Sequence, residues 1–550
     1  MQQNRPVKES LFDDDEDDFV QDKAPQNLQS NQNLFDDFVD DSDDDCCEEE
    51  VEENDLFNSS KRNLPSLNYN DDEPITSGNS IQQDEKLTSK DLEDATRLSL
   101  KLKKKTIQSS SFSSQTFPLL VSLITENIKT SSKAPLDLIC VIDRSGSMSG
   151  EKIQLVKESF TYLLKFLGDS DRLSIVIFDD RASRIIPLMR MTEANKEIAL
   201  KKLQIVHGRG GTDINLGMLH AFEVLKQRRE MNPVSSIFLL SDGLDEGAQQ
   251  KVKSSLERYS ISEDITINTF GFGSDHDPQL MSDIADLRDG NFYFVEKLDT
   301  VDEAFVDCLG GLLSSLGQNI TIKISPEKSN IFNEDVEIVK AYGEASMWAK
   351  EGNSYLTKMS NIISGRQKDF VLELKIPINQ KELQDHEKSV KVANATVTMT
   401  ALDGKIVIKT TDLFLTLLNE TEEVKEEEEA DRDVMKNFYR VKGASILSEA
   451  KKLADESKYD EAKKLLQSFK EELEGSFLKE EEFIKNLVKD INKASEDVDP
   501  VVYEQFGKHN MMENARAQMY QKVNFKSANC YQNEMQMDMI QQVKSMKKKK

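Results

Sequence analysis

The thirteen residues from Leu136 to Met148, reading LDLICVIDRSGSM, constrain this chain more than any other stretch. Leu136, Leu138, Cys140 and Ile142 alternate with Ile139 and Val141, so both faces of an extended segment are apolar, as in a strand buried in the middle of a parallel sheet. The run stops at Asp143. In Asp143-Arg144-Ser145-Gly146-Ser147 a carboxylate and two hydroxyls recur at every second residue, and the glycine permits a tight loop back towards the sheet. Hard oxygen ligands are thus gathered at a strand's carboxyl end, where open α/β sheets bind their ligands.

Two later segments extend the pattern. Gly210-Gly211-Thr212-Asp213 lies in a glycine-rich loop after a helical stretch, and the apolar run Ile237 to Leu240 ends at Ser241-Asp242-Gly243. Asp143, Ser145, Ser147, Thr212 and Asp242 together resemble the DxSxS, T and D positions of the metal-ion-dependent adhesion site of von Willebrand factor A domains. The resemblance covers about Pro135 to Leu316. It implies a doubly wound, mostly parallel sheet and a Mg²⁺ site, with Mn²⁺ as a substitute ion. It further implies that Ser145, Ser147 and Thr212 coordinate directly while Asp143 and Asp242 act largely through water. The open position is then completed by an Asp or Glu carboxylate of a protein partner. Mg²⁺ takes oxygen ligands in a near-octahedral shell, so hydroxyls with one or two carboxylates suit it. In the plainer alternative, Ser145 and Ser147 cap a helix beginning near Glu151 and the aspartates satisfy loop amides, which leaves Thr212 and Asp242 without a role.

Alternation of strands and helices runs through this region. Expected helices are Lys152 to Leu167, Glu193 to Ile205, Asn215 to Arg229, Gln249 to Tyr259, Pro278 to Leu287 and Val301 to Leu316. Expected strands are Arg172 to Phe178, Arg184 to Arg190, Ser235 to Leu240, Ile265 to Phe272 and Asn291 to Glu296. Such alternation requires a sheet covered by helices on both faces. His207 and His220 fall near the loops and are read as loop or packing residues, because imidazole is a poorer partner than oxygen for Mg²⁺.

The expected domains are an acidic disordered tail over 1–110, a strand within 112–130, the α/β domain over 135–316, a β-sandwich over 319–417, an α-helical hairpin over 432–495 and an irregular tail over 496–550. Residues 1–60 carry 21 Asp or Glu against Arg5, Lys8 and Lys23, a net of −18 out of −29 for the 550-residue chain. Such a segment is too polar to form a core. Its Leu11-Phe12-Asp13-Asp14, Asp18-Phe19-Val20, Leu34-Phe35-Asp36-Asp37-Phe38 and Asp55-Leu56-Phe57 clusters look like short docking motifs for trafficking adaptors, or are incidental to a solvated tail. Alternating runs at Ile320 to Ile324, Phe370 to Ile376, Val390 to Met399 and Lys405 to Leu415 predict an antiparallel sandwich, which Phe117 to Thr125 completes from the far side of the inserted domain. After the acidic run Glu420 to Glu429, the 3.6-residue period of Ala450-Leu453-Ala454 and Tyr459-Ala462-Leu465-Leu466 predicts helices. Tyr531-Gln532-Asn533 with Met535, Met537, Asp538 and Met539 is similar to the tail of eukaryotic intracellular proteins of the plant zinc-finger and Vwaint type. The RING-type finger of the plant proteins has no counterpart in Cys46 and Cys47.

Leu92, Ala95 and Ser99 fall on one face of a helix and resemble a ubiquitin-interacting motif, although Lys90, Lys101 and Lys103 to Lys105 stand where that motif has acid. The functional expectation is a metal-dependent protein-binding scaffold that is not an enzyme; the alternative is a ubiquitin-binding adaptor using residues 91–100. A phosphate-binding Walker loop is excluded because no Lys-Ser/Thr follows Gly208 to Gly211. No Ser/His/Asp trio emerges from the five histidines. The absence of a broad basic face argues against nucleic acid. With five scattered cysteines, no apolar run of the roughly 20 residues that span a bilayer and no signal-peptide core, the expected setting is cytoplasmic.

Overall fold

Helix α1 (Ser89–Ala95) starts where Thr88 and Asp91 form a reciprocal capping box, and it ends after seven residues because Thr96 is already extended. The computed structural model describes residues 67, 69, 72–75, 87–108, 114–128, 133–242, 244–262, 264–272, 277–295, 301–328, 332, 334–377, 387–418, 430–522 and 531–548. The aromatic-acidic clusters before Ser66, Cys46, Cys47 and the run Glu420 to Glu429 lie outside the described residues.

From Thr96 the chain enters β1 (Thr96–Leu102), followed by β2 (Thr106–Gln108) and β3 (Gln115–Thr125). β1 pairs antiparallel with β3, and Ser99 stands opposite Ser122. Two expectations are corrected here. The stretch 87–108 is built into the fold and not part of an unstructured tail. Nor do Leu92, Ala95 and Ser99 share a helical face, since Ser99 is in a strand and Leu92 is 1% exposed against Gly317, where an added Cβ would come within 2.9 Å of the leucine. A helix this short is marginal alone, whereas the edge of β3 supplies a full ladder of backbone partners. Truncation by Leu92→Ala is expected to cost about 2–3 kcal/mol in chemical denaturation, the signature of a packed core residue.

The chain then forms β4 (Leu136–Asp143), α2 (Glu151–Phe166), β5 (Arg172–Phe178), β6 (Ala182–Arg190), α3 (Glu193–Gln204), α4 (Ile214–Gln227), β7 (Val234–Ser241), α5 (Ala248–Tyr259), β8 (Thr266–Phe272), α6 (Pro278–Asp286), β9 (Phe292–Val295) and α7 (Val301–Leu313). The sheet order is β6-β5-β4-β7-β8-β9. All neighbours are parallel except the β5–β6 hairpin at one edge. β4 lies centrally and all eight of its residues are buried, which is why it reads as a continuous apolar run. On one face Phe238, Phe270 and Phe305 pack together, with Phe270 and Phe305 edge to face at 4.5 Å between ring centres.

Beyond α7 come β10 (Ser315–Pro326), β11 (Glu337–Ala341), β12 (Ala349–Glu351), β13 (Ser354–Ile363), β14 (Gln367–Ile376), β15 (Glu387–Ala401) and β16 (Ile406–Leu418). They form two sheets, ordered β1-β3-β14-β11 and β12-β13-β10-β15-β16-β2. Leu119, Val121, Leu372 and Leu374 from the first share one core with Ile320, Ile322, Val397 and Met399 from the second. β3 pairs with β14, so the chain leaves this sandwich after Thr125 and re-enters it at Ser315. The helix expected to reach Leu316 stops at Leu313, because Ser315 already pairs with Ile363 and Leu316 belongs to the sandwich core.

The remainder is helical: α8 (Arg432–Asp455), α9 (Tyr459–Glu474), α10 (Glu482–Asp497), α11 (Pro500–Val502), α12 (Lys508–Tyr520) and α13 (Glu534–Lys547). Two more expectations change. The hairpin over 432–495 is a three-helix arrangement with one core, and 496–550 is no irregular tail. α13 lies across α7 of the inserted domain, close enough that a Cβ on Gly310 would sit 3.2 Å from the Gln536 Cα. Asn533 caps α13 and its amide also donates to Ser314 and to the Ser364 carbonyl. Among the described residues no helix is long and apolar enough to cross a membrane.

Candidate metal centre

β4 delivers Asp143 to the upper edge of the sheet, fully buried, and β7 delivers Ser241 and Asp242 beside it. One Asp143 oxygen accepts the Ser145 backbone N–H at 2.7 Å and the other accepts the Ser241 hydroxyl. The loop is pinned by Met148, which is wholly buried in the core below. Helix α2 begins only after Gly150, whose φ of +79° favours glycine, and no side chain caps it. The serines are therefore free of the capping role that the plainer alternative gave them.

The oxygens form a chain. The Ser145 and Ser147 hydroxyls are 3.0 Å apart, and Ser147 donates to Asp242 Oδ1 at 2.8 Å. The second Asp242 oxygen is ion-paired with Lys152 from the first turn of α2. Thr212 arrives on a separate loop, which is stitched to the first by Gly146 N–H donating to the Gly210 carbonyl at 3.0 Å and Arg209 N–H to the Arg144 carbonyl at 2.6 Å. Glycine is required there: Gly210 has φ of +69°, and Cβ atoms on Gly210 and Gly211 would come within 2.7 and 2.5 Å of the Asp180 carboxylate. Thr212 is half-buried, and among the described residues its side chain makes no hydrogen bond to the other four. The structure thus links Asp143, Ser145, Ser147 and Asp242 and brings the Thr212 loop alongside.

Several participants do not stand out in the sequence. Asp179, just past β5, is ion-paired with Arg144 at 2.9 Å and accepts Arg209 Nε–H at 3.0 Å, clamping both loops. Asp180 accepts the Gly211 N–H at 2.9 Å. Asp245 accepts the Ile214 N–H at 2.9 Å and helps to hold the start of α4. An adjacent Asp-Asp pair at a strand end was the available signal for the first two. His220 is not at this site. It is buried on α4 with Nδ1 2.6 Å from the Tyr69 hydroxyl, and burial, then the Arg184 charge, push its pKa down to about 4.

The donor set fits a small hard cation. With Mg–O bonds of about 2.1 Å, adjacent corners of an octahedron lie roughly 3.0 Å apart, the spacing of the two serine hydroxyls. Burial raises the Asp143 carboxyl to about 6, against hydrogen bonds from Ser241 and Ser145 that lower it, and the Asp242 charge adds to the rise. A buried carboxyl whose ionisation is disfavoured by burial and by a neighbouring carboxylate sits in a pocket that gains from positive charge. Among the described residues no three His, Cys, Asp or Glu converge as a metal cage, so the oxygen donors available to a cation here are mainly hydroxyls.

This sheet, with its loops in this order, defines the class. Residues 137–306 match the von Willebrand factor type A domain, and the chain carries that domain. Among curated relatives it is 30% identical over 257 residues to the E3 ubiquitin-protein ligase WAV3 of Arabidopsis thaliana, a match that covers 45% of this chain and 32% of the plant protein. It is 39% identical over 124 residues to the inter alpha-trypsin inhibitor, heavy chain 4 of Mus musculus, covering 22% of this chain and 13% of that one. The chain spans about a third of the length of the plant relatives it matches. A solved structure entitled von Willebrand factor type A from Catenulispora acidiphila superposes with a TM-score of 0.56 at 15% identity, over 78% of this chain and 96% of that one, which shows a shared fold.

Proposed function

We propose that this chain is a metal-dependent protein-binding scaffold that docks an Asp or Glu carboxylate of a partner through Mg²⁺ held by Ser145, Ser147 and Thr212, with Asp143 and Asp242 behind them. The protein-binding role is that of the domain class. The metal dependence rests on one observation, the hydrogen-bonded row Ser145–Ser147–Asp242 at the carboxyl ends of two adjacent strands. The ion supplies an electrophilic point for a carboxylate. The chain itself orients the hydroxyls: Asp143 fixes the Ser145 backbone, Asp179 clamps Arg144 and Arg209, and the Gly146–Gly210 contact sets the distance between loops. Hydroxyl ligands leave little means of generating hydroxide at neutral pH, which favours docking over hydrolysis.

The plant relatives are named E3 ubiquitin ligases, and the portion shared with them is read here as partner capture; ubiquitin transfer is not carried over. Cys140 and Cys308 are free and buried in the core, which supports a reducing, cytoplasmic setting. In calorimetric titration, Mg²⁺ or Mn²⁺ is expected to bind the wild-type chain at one site, with at least tenfold weaker binding by Ser147→Ala and by Asp143→Ala. Partners bound in Mg²⁺ are expected to be released by EDTA. Equal cation uptake by wild type and both variants removes the proposal.

A further inference from the structure

A cavity of about 130 Å³ lies where the inserted domain, the sandwich and the C-terminal helices meet. Its wall includes Asp289 and Asn291 from the turn between α6 and β9, Arg366 and Lys368 at the start of β14, and Gln521 and Lys522 after α12. Among the described residues of this wall, three cations stand with one carboxylate around a space large enough for several waters.

Lys368 donates to the Tyr520 carbonyl, and among the described residues it has no carboxylate within ion-pairing distance. Arg366 Nη2 donates to the Gln521 carbonyl at 3.0 Å. Lys522 donates to the Gly290 carbonyl and pairs with Asp286 Oδ1 at 3.0 Å, an aspartate that Arg516 also engages. Asp289 accepts the Ser360 backbone N–H at 3.0 Å. Burial lowers the Lys368 amine to about 7; Asp289 opposes this, whereas Lys522, Arg366 and Arg440 from α8 reinforce it. Lys522 is lowered to about 8, again first by burial. Like charges gathered in a partly dehydrated space destabilise one another unless an anion joins them.

We infer that this cavity binds a small oxyanion of the phosphate class, held between Lys368, Lys522 and Arg366. Phosphate offers multiple acceptors to the planar guanidinium and the two ammonium groups. Because its ligands come from the start of β14 and from the segment after α12, the anion ties the sandwich and the helical region together. The overall charge of −29 repels phosphate elsewhere, so retained phosphate reports on a locally built site.

The test is equilibrium dialysis of the full chain against radiolabelled orthophosphate in EDTA, which keeps the metal loops out of the measurement. One orthophosphate per chain is expected for wild type and for the control Lys470→Gln, with at least tenfold weaker retention by Lys368→Gln and by Lys522→Gln at unchanged circular dichroism. Should one of the two lysine variants fail to fold, the other and displacement by unlabelled sulfate carry the measurement. Competition by inositol trisphosphate distinguishes the source: displacement at tenfold lower concentration than orthophosphate assigns the site to a phosphomonoester on a larger solute, and equal or weaker displacement assigns it to free phosphate. No retention by wild type, or equal retention by the folded lysine variants, overturns the inference.

Discussion

Asp137→Ala is expected to destabilise the inserted domain by about 3–5 kcal/mol, read as loss of protection in amide exchange across β4 and β5. Asp137 and Arg172 are both fully buried. The carboxylate receives Arg172 Nε at 2.8 Å and Nη2 at 2.7 Å, Arg228 Nη1 at 2.7 Å, and the backbone and side-chain N–H groups of Asn232 at 3.2 and 3.0 Å. Removing it leaves Arg228 without its counter-charge and Arg172 with only the longer pair to Asp72 at 3.7 Å in a dehydrated space, and an under-compensated buried charge is the costly case. Arg172 also donates to the carbonyls of Glu73 and Glu230, so the same arginine fastens a segment from the start of the described chain to the sheet. Pairing Asp137→Ala with Arg172→Met removes part of the orphaned charge and is expected to recover part of the loss. A single-variant cost below about 1 kcal/mol would show that water, not Asp137, compensates the arginines.

Asp137 also shows where sequence reading reaches its limit. Within LDLICVID it looks like a flaw in an apolar strand, because its compensation comes from residues 35 and 91 positions away that only the sheet brings near. The strand itself is legible, since a central parallel strand is buried on both faces and its composition shows this without knowledge of its neighbours. So are Asp143, Ser145 and Ser147, which lie within five residues and need only one loop to converge. Lys152, Asp179 and Asp180 are not, because their roles depend on how two loops approach each other. Leu92, Ala95 and Ser99 mislead for a different reason: a local period tests helix formation but says nothing of a waiting strand edge, and β3 provided one. At the C-terminus, α12 and α13 bury Asn514, Gln518, Asn533 and Gln536 alongside their methionines. Buried amides blur an amphipathic pattern, so the region reads as irregular although it is helical.

Arg440→Met is expected to loosen the helical region from the sandwich at a cost of about 3 kcal/mol, visible as faster amide exchange in α12 and β14 while the α/β domain stays protected. Arg440 is 1% exposed on α8, and burial lowers its pKa from the ordinary arginine value. Its guanidinium donates to Asn437 Oδ1 at 3.0 Å, to the Met519 carbonyl at 3.1 Å and to the Gln518 carbonyl at the end of α12, and to the Asp369 carbonyl of β14 at 2.9 Å. One side chain therefore satisfies carbonyls on two elements of different origin, and an apolar replacement strands them without donors, each at about 1–3 kcal/mol less whatever water can recover. Arg440→Lys should not rescue the contact, because a single ammonium cannot span the fork that reaches α12 and β14 at once. Comparable protection in α12 for wild type and both variants would mean that the apolar contacts of Val434, Val441 and Leu120 hold the two parts together without the arginine.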